Sequence, residues 1–346
     1  MRSVAVAGVH ALPPDQYWSL SLGDLILAAA TPLLSGQDID ALFCALPSAA
    51  PVQNQADGAA IAADRLGLSP KIVQGADAGD ASAGAALQLA WQFLGSGAVE
   101  TALVIGAAKT SDLGEHDRQV LLDRLLDQEA DENALSYAAQ AGLLAGQYCQ
   151  ARTGNAERLA SVTSSNLSAW SGECGRAAPS SAELRRDLVV APPLVRSDFP
   201  QLLDGACAVL LTTKSARDCW TIESVGAGSD TVSLWERRDP LAFVAVEKAV
   251  TGAIDGTIPA WVEIDCGVSI AQRLTEDAIL RVAKTKPDLV NIRGGSHGRG
   301  RVFGSSLLYQ FGDIIDSRAS FPSVLAVTVA GLGSRAFAAR LGKSGT

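Results

Sequence analysis

No apolar run in this chain approaches the roughly 20 residues that a membrane-spanning helix requires. The opening stretch, MRSVAVAGVHALPP, is too short and too strand-like for a secretory signal. Cysteine occurs six times (Cys44, Cys149, Cys174, Cys207, Cys219, Cys266), without a CxxC pair or any metal-ligand spacing. That scatter excludes a disulfide framework, implies no metal site, and fits a soluble, cytoplasmic protein in a reducing compartment. Cations are also short: 28 Lys and Arg face 37 Asp and Glu, a net charge of −9. Nucleic acid and anionic membrane are thereby excluded as general partners. Aromatics make up only 5% of the residues, whereas apolar residues make up 48%. Such a small-residue composition suits helices packed closely on sheets and is far from disorder.

The apolar pattern alternates between strands and helices along most of the chain. Strands are expected at Ser3–Gly8, Ala41–Leu46, Lys71–Gln74 and Thr101–Gly106, with helices at Ser21–Leu34, Asp57–Leu66 and up to Leu94. About 220 residues later the order recurs: strands at Trp220–Val225, Trp261–Asp265 and Asp288–Ile292, with Ser323–Ala330 closing the set. Helices are expected between them at Pro240–Thr251, Ser269–Ala283 and Ser305–Ile315. This predicts a duplicated α/β half with a mostly parallel sheet covered on both faces. Two unrelated α/β domains of similar order are the alternative. Leu113–Arg196 breaks the pattern with charge-rich helical stretches, HDRQVLLDRLLDQEADE among them, and reads as a cap or subunit contact, or as a solvated decoration. The domain reading is 1–112 plus 197–215 for the first half, 113–196 for the insertion and 216–346 for the second half.

Two turns carry the chemistry. Gly75-Ala76-Asp77-Ala78-Gly79-Asp80 places Asp80 at the mouth of a helix, where free N–H groups favour an anion. In the second half the equivalent turn, Gly294–Gly304, contains His297, Arg299 and Arg301 and is preceded by Arg293. Glycines there let backbone N–H groups approach an anion, and the arginines could hold phosphates; solvated arginines are the alternative for Arg293 and Arg299.

Taken in order, VAVAGVHA, ASAGAALQLA, ALVIGAAKTSD, LLDGACAVLLTT, VEIDCGVSIAQRL, VNIRGG and AVTVAGLGSRA resemble the thiolase superfamily, specifically its sterol-carrier-protein-type, lipid-transfer-protein-like members. The resemblance spans nearly the whole chain. It implies a five-layer αβαβα fold built from two duplicated βαβαβαββ halves, dimeric or larger, that handles acyl-CoA thioesters. Thiolases keep a nucleophilic cysteine at the first helix mouth; here that position is Asp80. The position at the end of the Trp261 strand is Asp265, the glycine-flanked histidine is replaced by Arg301, and the last catalytic position falls near Thr328. A register shift of four would make His297 the base instead.

A carboxylate is a poor nucleophile toward a thioester, and Cys266 lies on the wrong half, so ordinary thiolase activity is not expected. Asp80, Asp265 and Arg301 are expected to converge on one pocket, with Tyr309 as a possible proton donor. Gly294, Gly295, Gly304, Gly331 and Gly333 are the backbone positions expected to approach a CoA thioester; no cofactor is required. Two functions fit. One is a degenerate accessory subunit, a pseudoenzyme partnered in an oligomer by an active thiolase or a zinc-ribbon/OB-fold protein, with Asp80 merely capping its helix. The other is a cysteine-independent retro-aldolase, a carbon–carbon lyase acting on a β-hydroxyacyl-CoA.

Overall fold

A computed structural model describes residues 1–127, 135–175, 177–214, 219–317 and 321–343. Part of the predicted charge-rich helix, 128–134, and both ends of the 216–346 unit lie outside these residues. In the first half the strands are β1 (Val4–Ala11), β2 (Ala41–Ala45), β3 (Ile72–Gly75), β4 (Thr101–Ala108) and β5 (Gly205–Thr212). In the second they are β6 (Trp220–Ser229), β7 (Trp261–Asp265), β8 (Leu289–Val290), β9 (Ser323–Ala330) and β10 (Arg335–Lys343). They form one sheet in the order β8-β7-β9-β10-β6-β1-β5-β4-β2-β3. Read outward from the β6–β1 junction, each half has the same order. Only two register pairs, Val4 with Ile222 and Ala5 with Thr221, join the halves there.

The mostly parallel sheet expected from the sequence is not found. Four pairings are parallel and five are antiparallel. Strands linked by a crossover helix run parallel, but β9 reaches β10 through the tight Gly331–Ser334 turn and must reverse. Strand β10 itself escaped the sequence reading, which ended the set at Ala330.

Helices α1 (Leu22–Leu34), α2 (Gly58–Arg65) and α3 (Ser82–Ser96) belong to the first half. Helices α4 (Glu115–Asp123), α5 (Tyr137–Ala151) and α6 (Asn155–Glu173) lie in 113–196, the stretch that the sequence pattern sets apart as an insertion. The second half adds α7 (Val244–Ala253), α8 (Ser269–Ala283), α9 (Gly295–Arg299) and α10 (Ser306–Asp316). Helix α1 starts where a capping box allows: Ser21 accepts from the Asp24 N–H, and Asp24 accepts from the Ser21 N–H at 2.9 Å.

Three apolar clusters define five layers. Leu25, Ile26 and Ala29 of α1 pack on Leu42, Cys44, Leu103 and Ile105 at one outer face. At the other, Val250 of α7 and Ile270 and Leu274 of α8 pack on Val262, Ile264 and Val327. Between the sheet halves lie α3 and α10, whose Leu87, Leu94, Leu307 and Phe311 meet Phe43, Val104, Val209 and Val324. Strand alternation sorts the residues: in β2, Ala41, Phe43 and Ala45 face the central layer while Leu42 and Cys44 face outward. In β7 the same rule sends Trp261 to the central layer and Val262 and Ile264 outward, so Glu263 and Asp265 share the central face with Trp261.

The DGA sequence at the head of β5 earns its place through Asp204, which is fully buried. It accepts from the N–H groups of Thr110 and Ser111 at 2.7 and 2.8 Å and from Lys109 Nζ at 3.1 Å. The cluster ties the end of β4 to the start of β5. No helix among the described residues is long and apolar enough to cross a membrane.

Candidate functional site

Asp80 stands in a single 3₁₀ turn, Gly79–Ala81, immediately before α3. Ser82 pins that turn: its hydroxyl accepts from the Ala78 N–H at 2.9 Å and donates to the Gly79 carbonyl at 2.6 Å. Gly79 adopts φ +56°, a conformation a side chain would strain. The Asp80 carboxylate does not cap α3; helix entry at Ala81 has no side-chain cap. Instead Asp80 Oδ2 receives the guanidinium of Arg301 in a close ion pair, both side chains almost fully buried.

Arg301 is held from three sides. Its N–H donates to the Gln201 carbonyl at 2.8 Å, and the short strand Arg301–Val302 runs parallel to Leu202–Leu203. Its guanidinium lies on Gly267, where a Cβ would come within 2.6 Å of Nη1. Burial pulls the guanidinium down to about 9, still protonated at neutral pH against the Asp80 carboxylate. Breaking one side of such a pair strands a buried charge, at a cost of about 3–5 kcal/mol. Asp80 Oδ1 is buried and has no protein partner.

Asp265 is held separately. Ser296 Oγ donates to Oδ1 and Thr328 Oγ1 donates to Oδ2, each at 2.9 Å. Burial pushes its carboxyl up to about 6, and the two hydroxyls oppose that rise. The positions read from the sequence thus sort into two joined pairs, Asp80 with Arg301 and Asp265 with Thr328. Gly304 brings the second-half turn against the first: its carbonyl accepts from the Ala83 N–H at 2.9 Å, and a Cβ there would meet the Gly79 carbonyl at 2.9 Å. Ser296 was missed because nothing local marks a serine in a glycine loop as the partner of a carboxylate 31 residues away.

Tyr309 is tied to the first half of the chain. Its hydroxyl donates to the Leu12 carbonyl at 2.9 Å and lies where a Cβ on Gly205 would be 2.3 Å away. His297 is likewise engaged: Nε2 faces the Asp198 carbonyl at 3.1 Å and Nδ1 faces Asn166 at 3.3 Å. Burial pulls its pKa down, so the ring is neutral.

The glycine loop is covered. A Cβ on Gly294 would meet the Asn166 carbonyl at 2.4 Å, and one on Gly298 would meet Trp170 Cβ at 2.4 Å, because α6 lies across both. The loop amides of Gly294, Gly298 and Gly300 donate to Asn291, Gly294 and Ser296 carbonyls. Gly295 packs on the Asn291 side chain, and Gly333 on the Phe243 ring. Its arginines are paired: Arg293 with Glu173 and Asp313, Arg299 with Asp313, Arg301 with Asp80. Among the described residues no three His, Cys, Asp or Glu side chains gather as a metal site.

Neither protein-family models nor curated protein sequences give a match to this chain. Solved structures do. Human mitochondrial 3-ketoacyl-CoA thiolase in complex with CoA superposes with a TM-score of 0.73 at 15% identity, covering 99% of this chain and 98% of that one. Acat5 thiolase from Ascaris suum in complex with coenzyme A gives 0.71 at 14% identity, covering 99% and 100%. Acetyl-CoA acetyltransferase from Syntrophomonas wolfei gives 0.71 at 16% identity, covering 99% of each chain. At these identities the likeness shows the fold: the chain has the five-layer thiolase architecture from end to end.

Proposed function

We propose that this thiolase-fold chain is a catalytically degenerate, acyl-CoA-related accessory subunit that works in a complex with an active thiolase or a zinc-ribbon/OB-fold partner. The observation that carries this reading is the Asp80–Arg301 ion pair. It fills the helix mouth where thiolases hold a nucleophilic cysteine, and it consumes the charge that Asp80 would otherwise offer to a reaction. A carboxylate at that point forms no productive thioester intermediate. The degenerate, sterol-carrier-protein-type character belongs to the same reading, as do the oligomer, the CoA thioester as ligand and a place in lipid metabolism.

One observation favours a second reading. Asp265, pushed up to about 6, is a carboxyl able to exchange a proton near neutrality. A retro-aldol cleavage of a β-hydroxyacyl-CoA needs such a base, with Asp80 and Tyr309 as the other candidate participants.

The two separate in one experiment. The chain is expressed alone and together with the proteins encoded beside it, and acyl-CoA cleavage and transfer are assayed. The accessory reading expects no turnover by the lone chain, and activity of the complex that survives Asp80→Ala and Asp265→Ala in this subunit. Turnover by the lone chain that Asp265→Ala abolishes supports the lyase instead. Acetyl transfer to CoA by the lone chain would overturn both.

A further inference from the structure

The insertion sends two side chains over the site. Leu125 is wedged against the Asp80 turn: a Cβ on Gly79 would sit 2.5 Å from Leu125 Cδ2. The same residue rests on the C-terminal glycine turn, where a Cβ on Gly331 would meet the Leu125 carbonyl at 3.3 Å. Both glycines adopt positive φ, +56° and +54°, so each turn presents bare backbone as a seat. Tyr137 covers the other side. Its hydroxyl donates to the Gly331 carbonyl at 3.4 Å, and its ring is fully buried beside Cys266 and Asp265. A single carboxylate links the two, since Asp123 accepts from the Tyr137 N–H at 2.6 Å.

The segment that carries Leu125 is shallow. Across 115–126 only Leu121 and Leu126 are buried, and Leu122 and Leu125 are half-buried, packed against both the central and the outer clusters. Elements with few buried apolar contacts open locally at free energies well below global unfolding. By contrast, the turn beneath is locked by Ser82 and by the Ala83–Gly304 bond.

We infer that residues 115–126 form an autoinhibitory cover, seated through Leu125 on Gly79 and Gly331, that opens as a unit and controls access to Asp80 and Arg301. The inference concerns access alone and stands whichever chemistry the site supports. It assigns a function to the insertion: a shutter over the buried Asp80–Arg301 pair, whose Asp80 Oδ1 is left without a protein partner.

Amide hydrogen exchange on the full chain tests it. Leu125→Ala removes the side chain from its seat while leaving both glycine turns intact. Exchange of the amides in 118–126 is expected to rise by about tenfold or more, while the locked turn 76–85 and the core strand 101–108 keep their protection. Cys266, buried beside Tyr137, provides a second reading: methyl methanethiosulfonate is expected to modify it faster in Leu125→Ala than in the parent chain. Unchanged exchange in 118–126 overturns the inference. So does an equal rise in 101–108, since Leu125 would then only add to global stability. Neither outcome bears on whether the chain turns over a thioester.

Discussion

At the scale of single residues, the central layer holds charge that water cannot reach. Glu263 shares the central face of β7 with Asp265 and is fully buried. Its Oε1 accepts from the Trp261 indole at 2.8 Å and the Ile292 N–H at 3.1 Å, while Oε2 has no partner. Burial and the nearby Asp313 push its carboxyl up to about 7, against the pull of Arg299. A carboxyl whose folded pKa exceeds its unfolded value stabilises the fold while protonated. That contribution is full below the unfolded value of 4.5 and is lost as pH rises through about 7. Asp265 acts in the same direction over a lower window, ending near 6. Glu263→Gln keeps the acceptor for Trp261 and removes the titration. Denaturant unfolding across pH 5 to 9 is therefore expected to show the variant gaining on the parent as pH rises from 5 to about 7 and holding a constant lead above that, on the order of 3 kcal/mol in all. A constant difference across that range would show that Glu263 does not carry the proton.

At the scale of elements, small residues decide how closely layers approach. Gly84, the third residue of α3, lies where a Cβ would be 2.7 Å from Thr328 Cγ2 and 2.7 Å from Phe337 Cβ. Replacing a helical glycine by alanine gains at most about 1 kcal/mol of helix propensity, the value for a helix interior. Overpacking of this kind costs about 1–3 kcal/mol. The clash involves β-carbons and a β-branched residue, which cannot rotate away, so the cost wins. Gly84→Ala is expected to lower stability by about 1–2 kcal/mol in denaturant unfolding. Thr328→Ser deletes the offending Cγ2 and keeps the hydroxyl that Asp265 accepts from, so the double variant should recover part of the loss. An additive double variant would place the strain elsewhere. Several boundaries at this scale were legible in sequence, because apolar runs and caps mark them: α8 and the strands β7 and β9 stand where the pattern put them. Strand β10 was not, because RAFAARLGK places small and charged residues where a buried strand usually shows branched ones. Its partners on either side, β9 and β6, make it a strand.

At the scale of the whole molecule, three cysteines report on three layers. Cys44 lies in the outer cluster of the first half, Cys207 in the central cluster and Cys266 in the outer cluster of the second half. All three are buried, and burial raises their thiols, Cys44 to about 12. In native protein, thiol reagents are expected to reach the exposed Cys174 first and to leave these three unmodified on the same time scale. With denaturant the three should become reactive at one midpoint, because α3 and α10 pack on both sheet halves at once. Separate midpoints for Cys44 and Cys266 would mean that the halves unfold independently.

The sequence by itself determined the repeated strand–helix order and the turn that places Asp80 at a helix mouth. Those depend on local periodicity, turn residues and residue identity, which a linear string carries. Only the tertiary structure decided what the residues of these turns and strands touch. Asp80 meets Arg301 across 221 positions, Asp265 is shared between Ser296 and Thr328, Tyr309 turns to Leu12, and Leu125 closes over Gly79. Each of these contacts joins segments brought together by the stacking of layers. Burial then makes the contacts consequential, because a charge removed from water must find its partner there, whatever the chain between them reads.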